Sequence, residues 1–165
     1  MTREEFITNV KESQRQLRLF LLGLCGDGQL ADDLAQETLV KAYLASSGYR
    51  RRSKFSTWLL KIAYNCFLDS RKLYYERNRS PLETAEGISG GNSADENFEY
   101  QQLYRALDSL VEKERCAVML HYIYGLPVKE MASILDESVP AAKKQLQRAR
   151  AHLKTKLEEY ETRAE

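Results

Sequence analysis

Between Val139 and Leu157 the chain carries Lys143, Lys144, Arg148, Arg150, Lys154 and Lys156, with no Asp or Glu among them. Cations in such a run neutralise phosphates, which is the electrostatic basis of nucleic-acid binding. A second cationic stretch spans Gly48 to Arg79, where Arg50, Arg51, Arg52, Lys54, Lys61, Arg71, Lys72, Arg77 and Arg79 face only Asp69 and Glu76. There Tyr49 and Tyr64 interleave with Lys61 and Asn65, a mixture suited to single strands because bases stack on rings while cations hold the backbone. At helical spacing Phe55 and Trp58 are better read as core, and for Tyr49 and Tyr64 core and base platform are evenly matched. Catalytic chemistry is poorly supplied. The sequence has no Gly-rich phosphate loop, and His121 and His152 lack evident acid or nucleophile partners, so an enzyme reading is rejected and no cofactor is expected. Cys25, Cys66 and Cys116 are scattered, which fits buried or free thiols in a reducing cytosol. Cys116 and His121 supply two ligands at most, too few for a metal site.

These groups need elements to carry them. Val128, Met131, Ala132 and Leu135 recur at three- and four-residue steps, the signature of one helical face. Asp136-Glu137-Ser138 breaks that pattern; Ser138 can cap the next helix and Pro140 fits its first turn. Val139, Ala142, Leu146, Ala149, Leu153 and Leu157 then form a new stripe, giving a helix-turn-helix whose second helix is cationic. A basic amphipathic helix alone also serves as a solvated face or a membrane-surface helix. The short helix and tight turn before it favour DNA.

The rest of the chain reads as helical too, with three Pro and eight Gly falling mostly in joints. Phe6, Val10, Leu17, Leu21 and Leu24 predict a first helix that stops at Gly26-Asp27-Gly28. A second, from about Leu30 to Ser46, is expected to bury Leu34, Leu39 and Tyr43 and to expose Asp32, Asp33, Gln36 and Glu37. After the loop SGYRRRS comes a third, Phe55 to about Glu76, with Phe55, Trp58, Leu59, Ile62, Cys66 and Phe67 inward and Lys61, Tyr64, Asn65, Arg71 and Lys72 outward. Leu103, Leu107 and Leu110 mark another helix, and Arg115 to Tyr124 a further one ending at Gly125.

Residues 78–97 combine Gly90-Gly91, Ser and acids with no apolar period, and are read as a linker. The expected architecture is all-α: two small helical domains, 1–77 and 98–165, joined by a flexible acidic linker, the second containing the helix-turn-helix. Twenty residues reach about 66 Å when extended, roughly two turns of B-DNA, so the modules could engage one duplex at separated places. A net charge of only +1 conceals this segregation. No apolar run approaches membrane-spanning length and MTREEF lacks a signal-peptide core, so a cytoplasmic protein without direct membrane insertion is expected.

DDLAQETLVKAY (32–43), KFSTWLLKIAYNCFLDSRK (54–72) and LVEKERCAVMLHYIYGLPVKEMASILDESVPAAKKQLQRARAHL (110–153) resemble, in order and spacing, regions two and four of bacterial sigma-70 factors. The two-domain form resembles the extracytoplasmic-function (ECF) group. The resemblance implies a factor that binds core RNA polymerase, directs it to promoters and nucleates strand opening. Asp33, Gln36 and Glu37 match the surface for the clamp coiled coil of the largest polymerase subunit. Tyr49 and Asn65 match positions around a base flipped from the minus-ten element, with Arg50, Arg51, Arg52, Lys54 and Lys61 alongside. Lys143, Lys144, Gln147 and Arg148 match recognition-helix positions facing the minus-thirty-five element, and an anti-sigma factor is an implied partner. Pro140-Ala141-Ala142 departs from a common Gly-Thr-Val, Gln145 stands where Arg is frequent, and Pro127 replaces a polar cap. A stand-alone operator-binding regulator explains 127–157 equally well but not 54–72; an interaction adaptor with merely solvated basic faces is a third reading.

Overall fold

Helices and the turns joining them make up the computed structural model, which describes residues 1–78, 102 and 105–164; no strand occurs among the described residues. The chain is all-α, as expected. It divides into two compact units, Met1–Ser89 and Gly90–Glu165. The linker expected at 78–97 lies, but for residue 78, outside the described residues, as do Phe98 and Leu103.

In the first unit, α1 (Arg3–Cys25) opens with a reciprocal cap. Thr2 Oγ1 accepts from the Glu5 N–H at 3.1 Å, and Glu5 Oε2 accepts from the Thr2 N–H at 2.9 Å. It ends at Gly26, whose φ of 67° is free of Cβ strain and lets its N–H reach the Leu22 carbonyl at 2.8 Å. Asp27 then caps α2 (Gly28–Ala45), accepting from the N–H groups of Gln29 and Leu30 at 2.9 and 3.2 Å. That cap starts α2 two residues before Leu30. A single 3-10 turn, Ser46–Gly48, and a loop lead to α3 (Phe55–Asn78).

The three helices pack pairwise around Leu17, Phe20, Leu21 and Leu24 of α1, Leu34 of α2, and Leu59, Leu60, Tyr64 and Phe67 of α3. Each such side chain contributes roughly 1.5–3 kcal/mol on leaving water. Two expectations are corrected here. On α2 the inward stripe is Ala31, Leu34, Thr38 and Ala42, so Leu39 is only half-buried and Tyr43 is 52% exposed. Small residues let neighbouring backbones approach, and the Thr38 hydroxyl is satisfied within its own helix by the Leu34 carbonyl at 2.7 Å. On α3, Tyr64 is buried rather than outward, because α1 and α2 both pack on this helix and widen its inward face to Leu60, Ala63, Tyr64 and Phe67. Trp58 and Ile62 consequently lie at the margin, half-buried.

The second unit has a helical segment at 105–108 and α4 (Glu112–Val118), which widens into one π turn, Met119–Ile123. The Tyr124 N–H bonds the Met119 carbonyl at 3.0 Å, five residues back. The wide turn keeps Leu120 buried while leaving Tyr122 and Ile123 exposed. Gly125, φ 67°, reverses the chain into α5 (Val128–Leu135). Met131, Ala132 and Leu135 are inward as expected, joined by Ile134.

Asp136 follows in the left-handed region, φ 53° and ψ 46°, where Gly is usual. This conformation lets the Glu137 N–H bond the Ala132 carbonyl at 3.0 Å and close the helix end. Ser138 Oγ accepts from the Ala141 N–H at 3.3 Å, capping α6 (Val139–Ala164) as the sequence implied. Ala142, Leu146 and Ala149 are buried and Leu153 and Leu157 half-buried, but Val139 is 37% exposed, since the first residue of α6 overhangs the turn. Leu107, Leu110, Val118 and Ala149 form one apolar cluster, with Leu153 against it.

Candidate nucleic-acid interface

Between Gly48 and Lys54 the chain folds onto the start of α3. The Tyr49 ring lies 4.9 Å from that of Trp58 and meets Phe55 edge-on at 6.0 Å, while its hydroxyl donates to the Ser53 carbonyl at 2.6 Å. Arg51 adopts a φ of 53°, uncommon for a residue with a side chain, and its guanidinium reaches Glu5 Oε1 on α1 at 3.2 Å. The Thr2 backbone bond, desolvation and Arg51 act on the Glu5 carboxyl in that order, with a net lowering of its pKa.

An open concavity of about 300 Å³ results, lined by Gly48, Tyr49, Arg50, Arg52, Ser53 and Trp58. Aromatic side chains beside two arginines suit a planar, polar ring attached to phosphate. Of the residues expected at the minus-ten element, Tyr49, Arg50 and Arg52 line this cavity. Arg51 is turned toward α1, and Lys54, Lys61 and Asn65 lie outside the lining. Lys61 and Asn65 do share a helical face with Trp58, at steps of three and seven residues, so Asn65 sits about 10 Å along α3 from it. Trp58, read from sequence as core, is therefore a cavity wall. Its spacing to Lys61 and Asn65 was the available signal.

On α2, Asp33, Gln36 and Glu37 are exposed as expected. Glu37 holds Lys41 at 2.8 Å, and this bond is the main reason the Lys41 ammonium has a raised pKa. Val40 and Leu44, at three and seven residues from Glu37, stand 59% and 75% exposed beside it. Sequence reasoning missed them because it assigned Leu39 and Tyr43 to the core. Acids flanked by uncovered aliphatics form a surface suited to a protein partner.

In the second unit, Lys143, Lys144, Gln147 and Arg148 are all exposed on the first three turns of α6, at mutual steps of three and four. The turn before α6 and the buried stripe beneath it hold this face outward. Gln145 is half-buried and donates instead to Glu137 Oε1 at 3.3 Å.

One histidine, His152, has an acid partner, contrary to the sequence reading, whereas His121 bonds only a backbone carbonyl. His152 Nδ1 pairs with the buried Glu114 carboxylate at 2.7 Å, and His121 Nδ1 donates to the Leu126 carbonyl at 2.9 Å. Neither contact involves a nucleophile. Cys116 is fully buried, and desolvation drives its thiol far above the usual range. Among the described residues no group of three or more His, Cys, Asp or Glu could hold a metal ion, and no helix is long and apolar enough to cross a membrane.

The chain matches the family "Sigma-70 region 2" over residues 10–78 and "Sigma-70, region 4" over residues 100–153. It is 30% identical over 142 residues to the ECF RNA polymerase sigma factor EcfG of Rhodopseudomonas palustris, covering 83% of this chain and 76% of that protein. Identity to the ECF RNA polymerase sigma factor SigM of Bacillus subtilis is 30% over 142 residues, with 82% and 84% covered. The Escherichia coli K12 ECF RNA polymerase sigma-E factor is 31% identical over 141 residues, with 76% and 73% covered. In fold, the chain is similar to the sigma factor RpoE solved with the anti-sigma factor NepR from Bartonella quintana, at a TM-score of 0.82, 24% identity, and 94% and 98% of the two chains covered.

Proposed function

The chain belongs to the extracytoplasmic-function group of the sigma-70 family, and on that premise we propose how its two units divide the work of transcription initiation. It is an initiation factor that binds core RNA polymerase and directs it to promoter DNA. In our reading unit one attaches to polymerase through Asp33, Gln36 and Glu37 against the clamp coiled coil, with Val40 and Leu44 extending that face. The same unit captures a minus-ten base at Tyr49, Arg50, Arg52 and Trp58, with Arg51, Lys54, Lys61 and Asn65 guiding the strand. Unit two reads the minus-thirty-five element through Lys143, Lys144, Gln147 and Arg148. Residues 78–97 join the two as a linker. The working place is the cytoplasm, and the action is differential binding of open DNA rather than covalent chemistry.

Magnitudes fit a nucleating role. Opening about ten base pairs loses stacking of roughly 14 kcal/mol, whereas one base on an aromatic returns about 1–3 kcal/mol. The factor thus captures a base or two while polymerase supplies the remaining contacts. A restraining anti-sigma factor is the further partner in this reading, supported by the likeness to a sigma factor solved with one.

The observation that carries the proposal is the aromatic and cationic cavity at Gly48–Ser53 and Trp58, for which an operator-binding regulator has no use. Purified chain with core polymerase on genomic DNA should give discrete start sites sharing two spaced elements. Tight duplex binding by the free chain, without polymerase-dependent starts, would instead establish the regulator.

A further inference from the structure

Gln145 differs from the residues around it on α6. Lys143, Lys144, Gln147 and Arg148 are exposed, whereas the Gln145 amide turns back toward the turn between α5 and α6. There it shares one acceptor with another helix: Glu137 Oε1 takes a bond from Gln145 Nε2 at 3.3 Å and from Lys113 Nζ of α4 at 3.0 Å. Glu137 is itself fixed to α5, since its N–H bonds the Ala132 carbonyl at 3.0 Å. Three helices therefore meet at one carboxylate.

That carboxylate is an uneconomical choice if stability were the whole purpose. The Glu137 side chain is only 10% exposed, and its Oε2 is buried with no hydrogen-bond partner among the described residues. A buried charge is stabilised only when its lone pairs are well satisfied, and here both bonds fall on one oxygen. What the arrangement does supply is a fixed relation between α4, α5 and α6. Reading base edges needs such a relation, because bidentate contacts tolerate little displacement. Gln145 is also placed to transmit it, one residue from Lys144 and three from Arg148.

We propose that Glu137 is a positioning residue for promoter reading, holding α6 through Gln145 and α4 through Lys113 so that Lys143, Lys144, Gln147 and Arg148 meet the upstream element at one angle. Gln145 is a tether in this scheme and touches no base. The inference rests on the reading of α6 as the upstream recognition helix.

The test uses full-length chain with core polymerase on a promoter library in which the upstream element is randomised. Absence of any selection by the wild-type holoenzyme would defeat the reading of α6 itself. Given selection, Glu137→Ala and Gln145→Ala should each flatten it, lowering the enrichment of the best over the median sequence by about threefold to tenfold. Polymerase binding should not change. The double variant should be no flatter than the worse single one, and Glu137→Gln, which keeps an acceptor, should retain most selectivity. Melting curves report folding; if Glu137→Ala does not fold, Gln145→Ala and Glu137→Gln decide. Wild-type selectivity in Gln145→Ala would overturn the proposal. So would effects that multiply in the double variant, or a change of preference at a single base pair in Gln145→Ala alone, which would make Gln145 a reader.

Discussion

Replacing Trp58 with Ala separates a cavity wall from a packing residue. The indole lies 4.9 Å from the Tyr49 ring and 5.5 Å from Phe55, so its loss removes two aromatic contacts worth about 0.5–1.5 kcal/mol each. A fully buried Trp→Ala change costs about 3–5 kcal/mol; Trp58 is half-buried, so a folding loss of about 2 kcal/mol is expected. Unit one retains its buried Leu, Phe and Tyr side chains and should remain folded. On the proposed reading, a base stacked against the indole would lose a further 1–3 kcal/mol or so, which is about fivefold to 150-fold in the open-complex equilibrium. Permanganate reactivity of thymines at a cognate promoter reads that equilibrium directly, with co-purification of polymerase and a thermal melt as controls. Trp58→Phe, which keeps an aromatic face, should recover most of the signal. Asn65→Ala should also impair opening while leaving the melt unchanged, because its side chain is exposed. A folded, polymerase-bound Trp58→Ala with wild-type permanganate reactivity would refute the assignment of this cavity to a base.

Lys144→Ala or Arg148→Ala should weaken upstream recognition by about 1–3 kcal/mol if the side chain reads a base, and uniformly across sequences if it holds a phosphate; affinity measured on matched and scrambled elements distinguishes the two. Glu37→Lys and Leu44→Asp should each lower co-purification with polymerase while barely moving the melting temperature, since both residues are exposed; retention equal to wild type in both would remove α2 from the attachment surface. Alkylation of the native chain should label Cys25, which is half-buried, well ahead of Cys66 and Cys116, whose thiol pKa values are raised chiefly by burial; equal rates by mass spectrometry would contradict the burial. Asp136→Gly should stabilise unit two by up to about 1 kcal/mol because φ is 53° there, and Asp136→Ala should destabilise it, as thermal melts will show.

The helix-turn-helix was legible because its apolar steps, its capping Ser138 and its cationic face all follow from local spacing; the structure departs there at Val139, which is exposed, at Val128, which is half-buried, and at Ile134, which joins the core. Interhelical geometry was less accessible. The period of α2 allowed two inward stripes, and hydrophobicity favoured Leu39 and Tyr43; the choice went to Ala31, Thr38 and Ala42 because two other helices must approach closely. Tyr64 and Trp58 exchanged roles for a related reason: the direction from which α1 and α2 reach α3 is a tertiary fact without a one-dimensional signature. The same holds for Glu114 with His152 and Glu137 with Lys113, pairs separated by 38 and 24 residues. The π turn was hidden as well, since Arg115 to Tyr124 has an unremarkable helical composition.

The alanines at the centre of unit one have a mechanical consequence. Ala31, Ala42 and Ala63 are all fully buried where α1, α2 and α3 pack against one another. Methyl groups leave little slack between helices, and a close-packed interior is hard to compress. α2 and the loop at Gly48–Ser53 are thus two jaws of one stiff calliper. On the proposed reading, with polymerase held at the first and an extruded base at the second, the place where the duplex first parts would be measured off by the body of unit one.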